Sequence, residues 1–324
     1  TAWGLIHDLQ SVAAELVPAL SFHGRPHWIQ DFQRPADGVL EEALAWIDQD
    51  DTRPWFAMIN LYDVHWPYLP AAEYEQRFVG DYDGPVDGFA DRNTNLGHDH
   101  VMSAADDAHL TNLYEAELLE LDEKLGRFFA QLDLDTTAIV VTSDHGEAFG
   151  EGGRYEHQDV LEPQVHVPFI LRPAGGLAEG AVSDLPVSGI DVAPTVLGLA
   201  GVTPPEDMRG VDLSRPDLAE HLPADRARLV EDRDHLSAAH NHYAVYRDGL
   251  KFVRVGTSAK GGGLFVLAED ADGLVDRSAE FPGRALELEE LLDSLRAEWG
   301  ADQEVLEAGS SVAEGLGGLG YLGD

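Results

Sequence analysis

Short apolar runs rich in β-branched residues alternate along this chain with stretches of helical apolar spacing, which restricts it to few architectures. WFAMINLY (55–62), TTAIVVTS (136–143) and HVPFILRP (166–173) have the length and content of buried strands. Before the first of them, Leu40–Ile47 reads as an amphipathic helix. Leu110, Leu113, Leu118, Leu121, Leu125 and Phe128 mark a stronger one. SGIDVAPTVLGLAGV predicts a helix entered after Asp191 and stopped at Gly201. Strands alternating with helices predict an α/β domain with a largely parallel sheet. Two prolines make DVHWPYLP a loop, and the Gly, Asp and Asn content of residues 79–107 predicts an excursion over the surface. After Pro204 and Pro205 the texture changes. LVEDRD, HYAVYRDGLKFVRV and GGLFVLAED predict a small antiparallel sheet, and residues 285–299 a helix against it. The expected division is therefore 1–205 and 206–324.

Charge narrows the partners. Sixty Asp and Glu stand against 21 Lys and Arg in 324 residues, a formal net charge of −39. A phosphate backbone would be repelled, so nucleic acid is excluded as a partner. Only Lys124, Lys251 and Lys260 are lysines. Abundant acid with little lysine resembles proteins of extreme halophiles, archaea among them. Molar salt shortens the Debye length to about 3 Å and makes such self-repulsion tolerable. Without cysteine there is no disulfide, thiolate ligand or cysteine nucleophile. No apolar run has the length of a transmembrane segment, and TAWGLIHDLQ lacks the features of a signal peptide, though any export signal would stand upstream of Thr1. The expected location is cytoplasmic.

In open α/β sheets, sites form beyond the carboxyl ends of strands. Here WFAMINLY delivers Asp63 and His65, and TTAIVVTS delivers Asp144 and His145. Carboxylate oxygen and imidazole nitrogen suit a divalent cation. Glycines at 146, 150, 152 and 153 permit sharp turns. Each element alone also reads as a polar loop, and His65, His157 and His166 as packed or surface histidines. A triad using Ser143 is disfavoured, because the glycine-flanked nucleophile elbow is missing.

Taken in order, four stretches resemble the sulfatase family of the alkaline-phosphatase-like superfamily. They are WFAMINLYDVHWPYLP, with its D-x-H-x-P-Y loop; LYEAELLELDEKLGRFFAQL; IVVTSDHGEAFGEGGRYEHQDVLEPQVHVPFIL, with S-D-H-G-E; and GIDVAPTVLGLAGVTPPEDMRGVDL. DGLKFVRV and the closing GLGGLGYLGD agree with the family's C-terminal part. The resemblance implies an alkaline-phosphatase-like α/β/α sandwich, N-terminally incomplete, with a small C-terminal antiparallel sheet plus helix.

It further implies hydrolysis of sulfate esters, from small molecules or glycans, with a divalent metal: calcium first, then magnesium, manganese or zinc. Asp144 and His145 would be metal ligands. His65 would contact the transferred group and protonate the leaving oxygen, and His157 would take the place of a basic residue binding that group. The alternatives are a phosphodiesterase, phosphonate hydrolase or phosphoryl transferase of the same superfamily, and a non-catalytic module. The chain departs from the family in one respect. Two further acidic ligands and the nucleophile of a C/S-x-P-x-R segment are expected, yet SFHGRPHW (21–28) has the wrong order. The chain thus resembles the C-terminal two-thirds of such a protein and is expected to be inactive alone.

Overall fold

The computed structural model describes residues 35–49, 53–89, 101–176, 182–232, 241–256 and 258–299. SFHGRPHW and GLGGLGYLGD lie outside the described residues.

Helix α1 (Ala36–Ile47) starts where Pro35 fixes the backbone, and Asp63 completes its N-terminus from 27 residues away. Both Asp63 oxygens accept from Ala36 N (3.1 and 2.9 Å), which satisfies a donor that the helix leaves unpaired. Helix α2 (Ala72–Phe78) is short. Helix α3 (Ala104–Phe129) is the longest described element, at 26 residues, and Ser103 and Asp106 form a capping box at its start. Residues 104–107, expected within a surface excursion, therefore belong to this helix. The cap, rather than local composition, sets its beginning. Of the rest of that stretch, 90–100 lie outside the described residues and 79–89 form no helix or strand.

Leu40, Phe128, Ile59 and Leu61 pack into one cluster, so residues 55–62 rest one side on α1 and α3. Phe56, Met58, Asn60 and Tyr62 are exposed on the other, the period of two expected for a strand. The segment nevertheless has no ladder partner among the described residues. Strand β1 (Ile139–Thr142) is followed by the hairpin β2 (Ala148–Phe149) and β3 (Tyr155–Glu156), the short helix α4 (Glu162–Val165) and strand β4 (Phe169–Arg172). β1 and β4 pair antiparallel, Ile139 opposite Arg172 and Thr142 opposite Phe169. The expected largely parallel sheet is thus not what the described ladders show. Apolar periodicity finds strands but does not encode the direction in which the chain returns.

A 3₁₀ turn at Gly189–Asp191 leads into α5 (Val192–Leu199). Asp191 is fully buried and accepts from Ser188 N, Val211 N and, bidentately, Arg226 (2.7 and 2.8 Å). Thr195 Oγ1 donates to Asp191 O and accepts from Leu213 N. The D-x-x-P-T stretch is therefore a structural clasp holding the 208–213 turn.

After the short helix α6 (Leu218–His221), strands β5 (Arg228–Asp232), β6 (His242–Arg247), β7 (Leu250–Val255) and β8 (Ser258–Val266) form an antiparallel sheet in sequential order. Asp248 and Gly249 both have positive φ (54° and 72°), the turn a tight hairpin needs. Helix α7 (Pro282–Glu298) lays Leu288 and Leu292 against Tyr243, Val245, Phe252 and Leu264. The opposite face, through Ala244 and Tyr246, packs on Val160 of the segment entering α4. There Glu162 accepts from Tyr246 OH (2.6 Å) and pairs with the buried Lys251 Nζ (2.8 Å), which also donates to Val160 O.

Candidate active site

Three loops converge beyond the carboxyl end of β1. His65 follows the 55–62 segment in a turn closed by its own N–H on Tyr62 O (3.1 Å). Asp144 and His145 follow β1 directly, in a bend held by Ser143 Oγ donating to His145 O (2.6 Å). Gly146 then presses against α4: its N–H donates to Gln164 O (2.7 Å), and a Cβ there would lie 2.1 Å from Pro163 O. Only glycine allows that approach.

The glycine-rich segment is a β-hairpin. Ala148 pairs with Glu156 and Phe149 with Tyr155, and the turn uses Gly150 at φ 117°. The register places Glu147 and His157 at its open end. Glu156 takes φ 62°, unusual for a side chain of this kind, and Gln164 Nε2 holds its carbonyl (2.7 Å). His157 is thereby aimed back at the β1 end.

The rings of His145 and His157 stack at 3.9 Å, and His65 lies 5.1 Å from His157 and 5.9 Å from His145, centroid to centroid. One ring nitrogen from each of the three lies within 4.8 Å of the others. The Nδ1 of each ring is occupied. Nδ1 of His65 faces Trp66 O (2.7 Å), that of His145 faces Gly146 O (2.9 Å), and that of His157 faces Glu147 Oε1 (3.0 Å). Carbonyl and carboxylate oxygens only accept, so each Nδ1 carries a proton and each neutral ring keeps its lone pair at Nε2.

Glu147 is buried, and its second oxygen accepts from Tyr68 OH (3.0 Å). Burial alone would lower the pKa of His157, but the hydrogen bond and charge of Glu147 outweigh it and move the pKa up. Burial lowers that of His65 and dominates there. Burial and the Glu147 carboxylate push Tyr68 well above the usual phenol range, so it keeps its proton and donates the hydrogen bond to Glu147.

Of the residues singled out in the sequence, His65, His145 and His157 come together. Asp144 lies at their edge, mostly exposed, with Oδ2 3.9 Å from His145 Nε2. Two metal bonds of about 2.2 Å can span that gap, so the pair suits one edge of a divalent-ion polyhedron. Asp63 has a different use, as the α1 cap and the partner of Lys124 Nζ (2.9 Å). Glu147 and Tyr68 carried no assigned role in the sequence. The available signal was that both fall inside the quoted motifs.

Comparisons with known proteins bear on the family. The sulfatase family model matches residues 28–202, more than half of the chain, and a model described as N-sulphoglucosamine sulphohydrolase, C-terminal, matches 150–280. An N-acetylglucosamine-6-O-sulfatase of Bacteroides thetaiotaomicron is 34% identical over 139 residues, covering 41% of this chain and 23% of that protein. Arylsulfatase K of Danio rerio is 29% identical, over 65% of this chain and 41% of its own length. The chain thus spans less than half the length of these relatives. A solved complex with D-glucosamine-2-N,6-O-disulfate, described as its substrate, superposes with a TM-score of 0.66 at 20% identity, covering 82% of this chain and 70% of that one. The phosphonate monoester hydrolase of Agrobacterium radiobacter gives 0.63 at 22% identity, over 80% and 60%. At those identities the structures establish the fold, which is alkaline-phosphatase-like, and the family model establishes more: this chain belongs to the sulfatase family.

Proposed function

We propose that this chain carries the acid–base and half of the metal-binding apparatus of a sulfuric ester hydrolase acting on a sulfated amino sugar. The convergence of His65, His145 and His157 beside Asp144 carries the reading. The relatives' names supply the substrate class.

His157, held by Glu147 and with its pKa raised, is the cationic group that meets the peripheral oxygens of the anionic ester. His65 is neutral in the empty site; an arriving sulfate monoanion favours its imidazolium, which then protonates the leaving oxygen from Nε2. Asp144 and His145 would hold the divalent ion, with calcium as the ion of this reading, and the ion supplies positive charge to the nucleophile and the sulfuryl oxygens. On this reading the nucleophile and two further acidic ligands would be supplied by polypeptide other than these 324 residues. The division at residue 205 separates the site-bearing part from a supporting sheet and helix, and the acidic composition suits a protein working in molar salt.

The test is sulfate release from N-acetylglucosamine 6-sulfate by the protein that carries this chain, in molar KCl with calcium. His65→Ala and His157→Ala should each lower kcat by about 10²-fold or more. Faster turnover of a phosphate diester would move the reading to phosphoryl transfer. Ligand binding without turnover of either ester would make this a non-catalytic module. Turnover by the 324-residue chain alone would refute the external nucleophile.

A further inference from the structure

We infer that His65, His145 and His157 form a three-imidazole site for a transition-metal dication of the zinc class, whose occupancy excludes the ester-binding state. The metal site stands on geometry and survives if the hydrolase reading fails; the exclusion of the ester rests on that reading.

Three observations carry it. One nitrogen of each ring lies within 4.8 Å of the other two. A tetrahedral ion with bonds of about 2.0–2.1 Å sets its ligands about 3.4 Å apart. His145 and His157 stack 20° from parallel, so closing the site also takes one of these two rings out of the stack until its in-plane lone pair meets that of the other. Second, every Nδ1 is already committed to an oxygen acceptor: Trp66 O, Gly146 O and Glu147 Oε1. Metal-binding histidines show this outer pattern, in which a carbonyl or carboxylate holds the far nitrogen, fixes the tautomer and makes the near nitrogen more basic. Here it recurs three times, with all three lone pairs on Nε2. Third, the rings are half-buried on three separate loops whose backbones are tied down, by Tyr62 O for His65, Ser143 Oγ for His145 and Gln164 for the residue before His157. The loops are ordered before binding, so the reorganisation is confined to the rings.

The donor set decides the ion. Calcium takes six to eight oxygen ligands, and three neutral imidazoles offer it none. Zinc, nickel, copper and cobalt prefer such nitrogen. Occupancy uses the Nε2 lone pairs through which His65 and His157 would hold protons. It also takes His145 away from a calcium ion shared with Asp144. A zinc-class ion is therefore an inhibitor at this site, and the fourth position stays open to water or a small anion.

The test is titration of the 324-residue chain with Zn²⁺ in molar KCl and excess Ca²⁺, followed by calorimetry, and with Co²⁺, followed by visible absorption. One ion per chain should bind, calcium should not displace it, and Co²⁺ should give the intense bands of low coordination. His65→Ala and His157→Ala should each weaken binding by about 10-fold or more, and Glu147→Gln by a smaller factor. His221→Ala, in α6 and outside the cluster, should leave it unchanged. Retained affinity in His157→Ala, displacement by calcium, or diffuse binding of many ions to the acidic surface would overturn the proposal. Should the alanine variants lose their circular dichroism, ring ¹⁵N spectra of the unmodified chain decide. Zinc should shift three Nε2 resonances and leave three Nδ1–H protonated; fewer than three shifted, or loss of Nδ1–H, overturns the site.

Discussion

Replacing Glu147 by glutamine removes one charge from a buried position and changes almost no volume. The carboxylate accepts from His157 Nδ1 and Tyr68 OH, each at 3.0 Å. Hydrogen bonds to a charged group contribute about 1.5–3 kcal/mol each, and neutral ones about 0.5–1.5. Glutamine can keep both contacts, its carbonyl facing His157 and its amide facing the Tyr68 oxygen, so the loss is about 2–3 kcal/mol while His157 is charged. The pH dependence has a definite sign. The pKa of His157 is raised on folding, so its stabilisation is fully present below the ordinary histidine value and is lost as pH rises through the raised one. The gap between parent and Glu147→Gln should therefore be widest near pH ~6 and shrink towards pH ~9. Urea unfolding in molar KCl measures the gap, and ring NMR follows His157. A gap that does not narrow with pH, or an unmoved His157 titration, would refute the assignment of Glu147 as the source of the shift.

Three further outcomes follow from the same structure. Lys251→Met leaves the buried Glu162 carboxylate without its cation and should cost about 3–5 kcal/mol; adding Glu162→Gln should recover part of it, and simple additivity in that cycle would contradict the pair. Asp63→Asn should cost about 1–3 kcal/mol by weakening the Lys124 pair and the α1 cap, yet leave Zn²⁺ affinity unchanged in the calorimeter, because Asp63 supports helices rather than the histidines. Lowering KCl from molar to about 0.1 M lengthens the Debye length to about 10 Å, so the melting temperature should fall; a rise would remove the argument for adaptation to salt.

Helices were the most legible part of the sequence, because their apolar spacing and stops are local. Gly201 ends its helix at φ 70°, and Asp248-Gly249 makes its hairpin, as their residue types require. The start of α3 was misplaced by several residues because Ser103 and Asp106 act as a reciprocal cap inside a stretch whose composition resembles a loop. Strand direction was not legible: β1 and β4 read as equivalent apolar runs, and their antiparallel pairing depends on the path through the hairpin and α4. At the site, His65, Asp144, His145 and His157 stood out by position after apolar runs or glycines. Glu147 did not. In a chain with 60 acidic residues, one more carboxylate between turn residues looks like surface, and only burial against Tyr68 marks it as different.

The contact of Glu162 with Lys251 and Tyr246 has a consequence for how the molecule opens. Glu162 begins α4, and two residues on, Gln164 holds Gly146 through its carbonyl and Glu156 through its amide. The C-terminal sheet therefore grips the short helix that fixes both histidine loops. Amide exchange at Gly146 should rise and fall with exchange in β6 and β7, as one cooperative unit, even though no strand of that sheet contributes a side chain to the three-histidine cluster. Selection on the site would then extend to a sheet that touches no substrate, and a substitution at the hairpin tip could reach the histidines by loosening this grip.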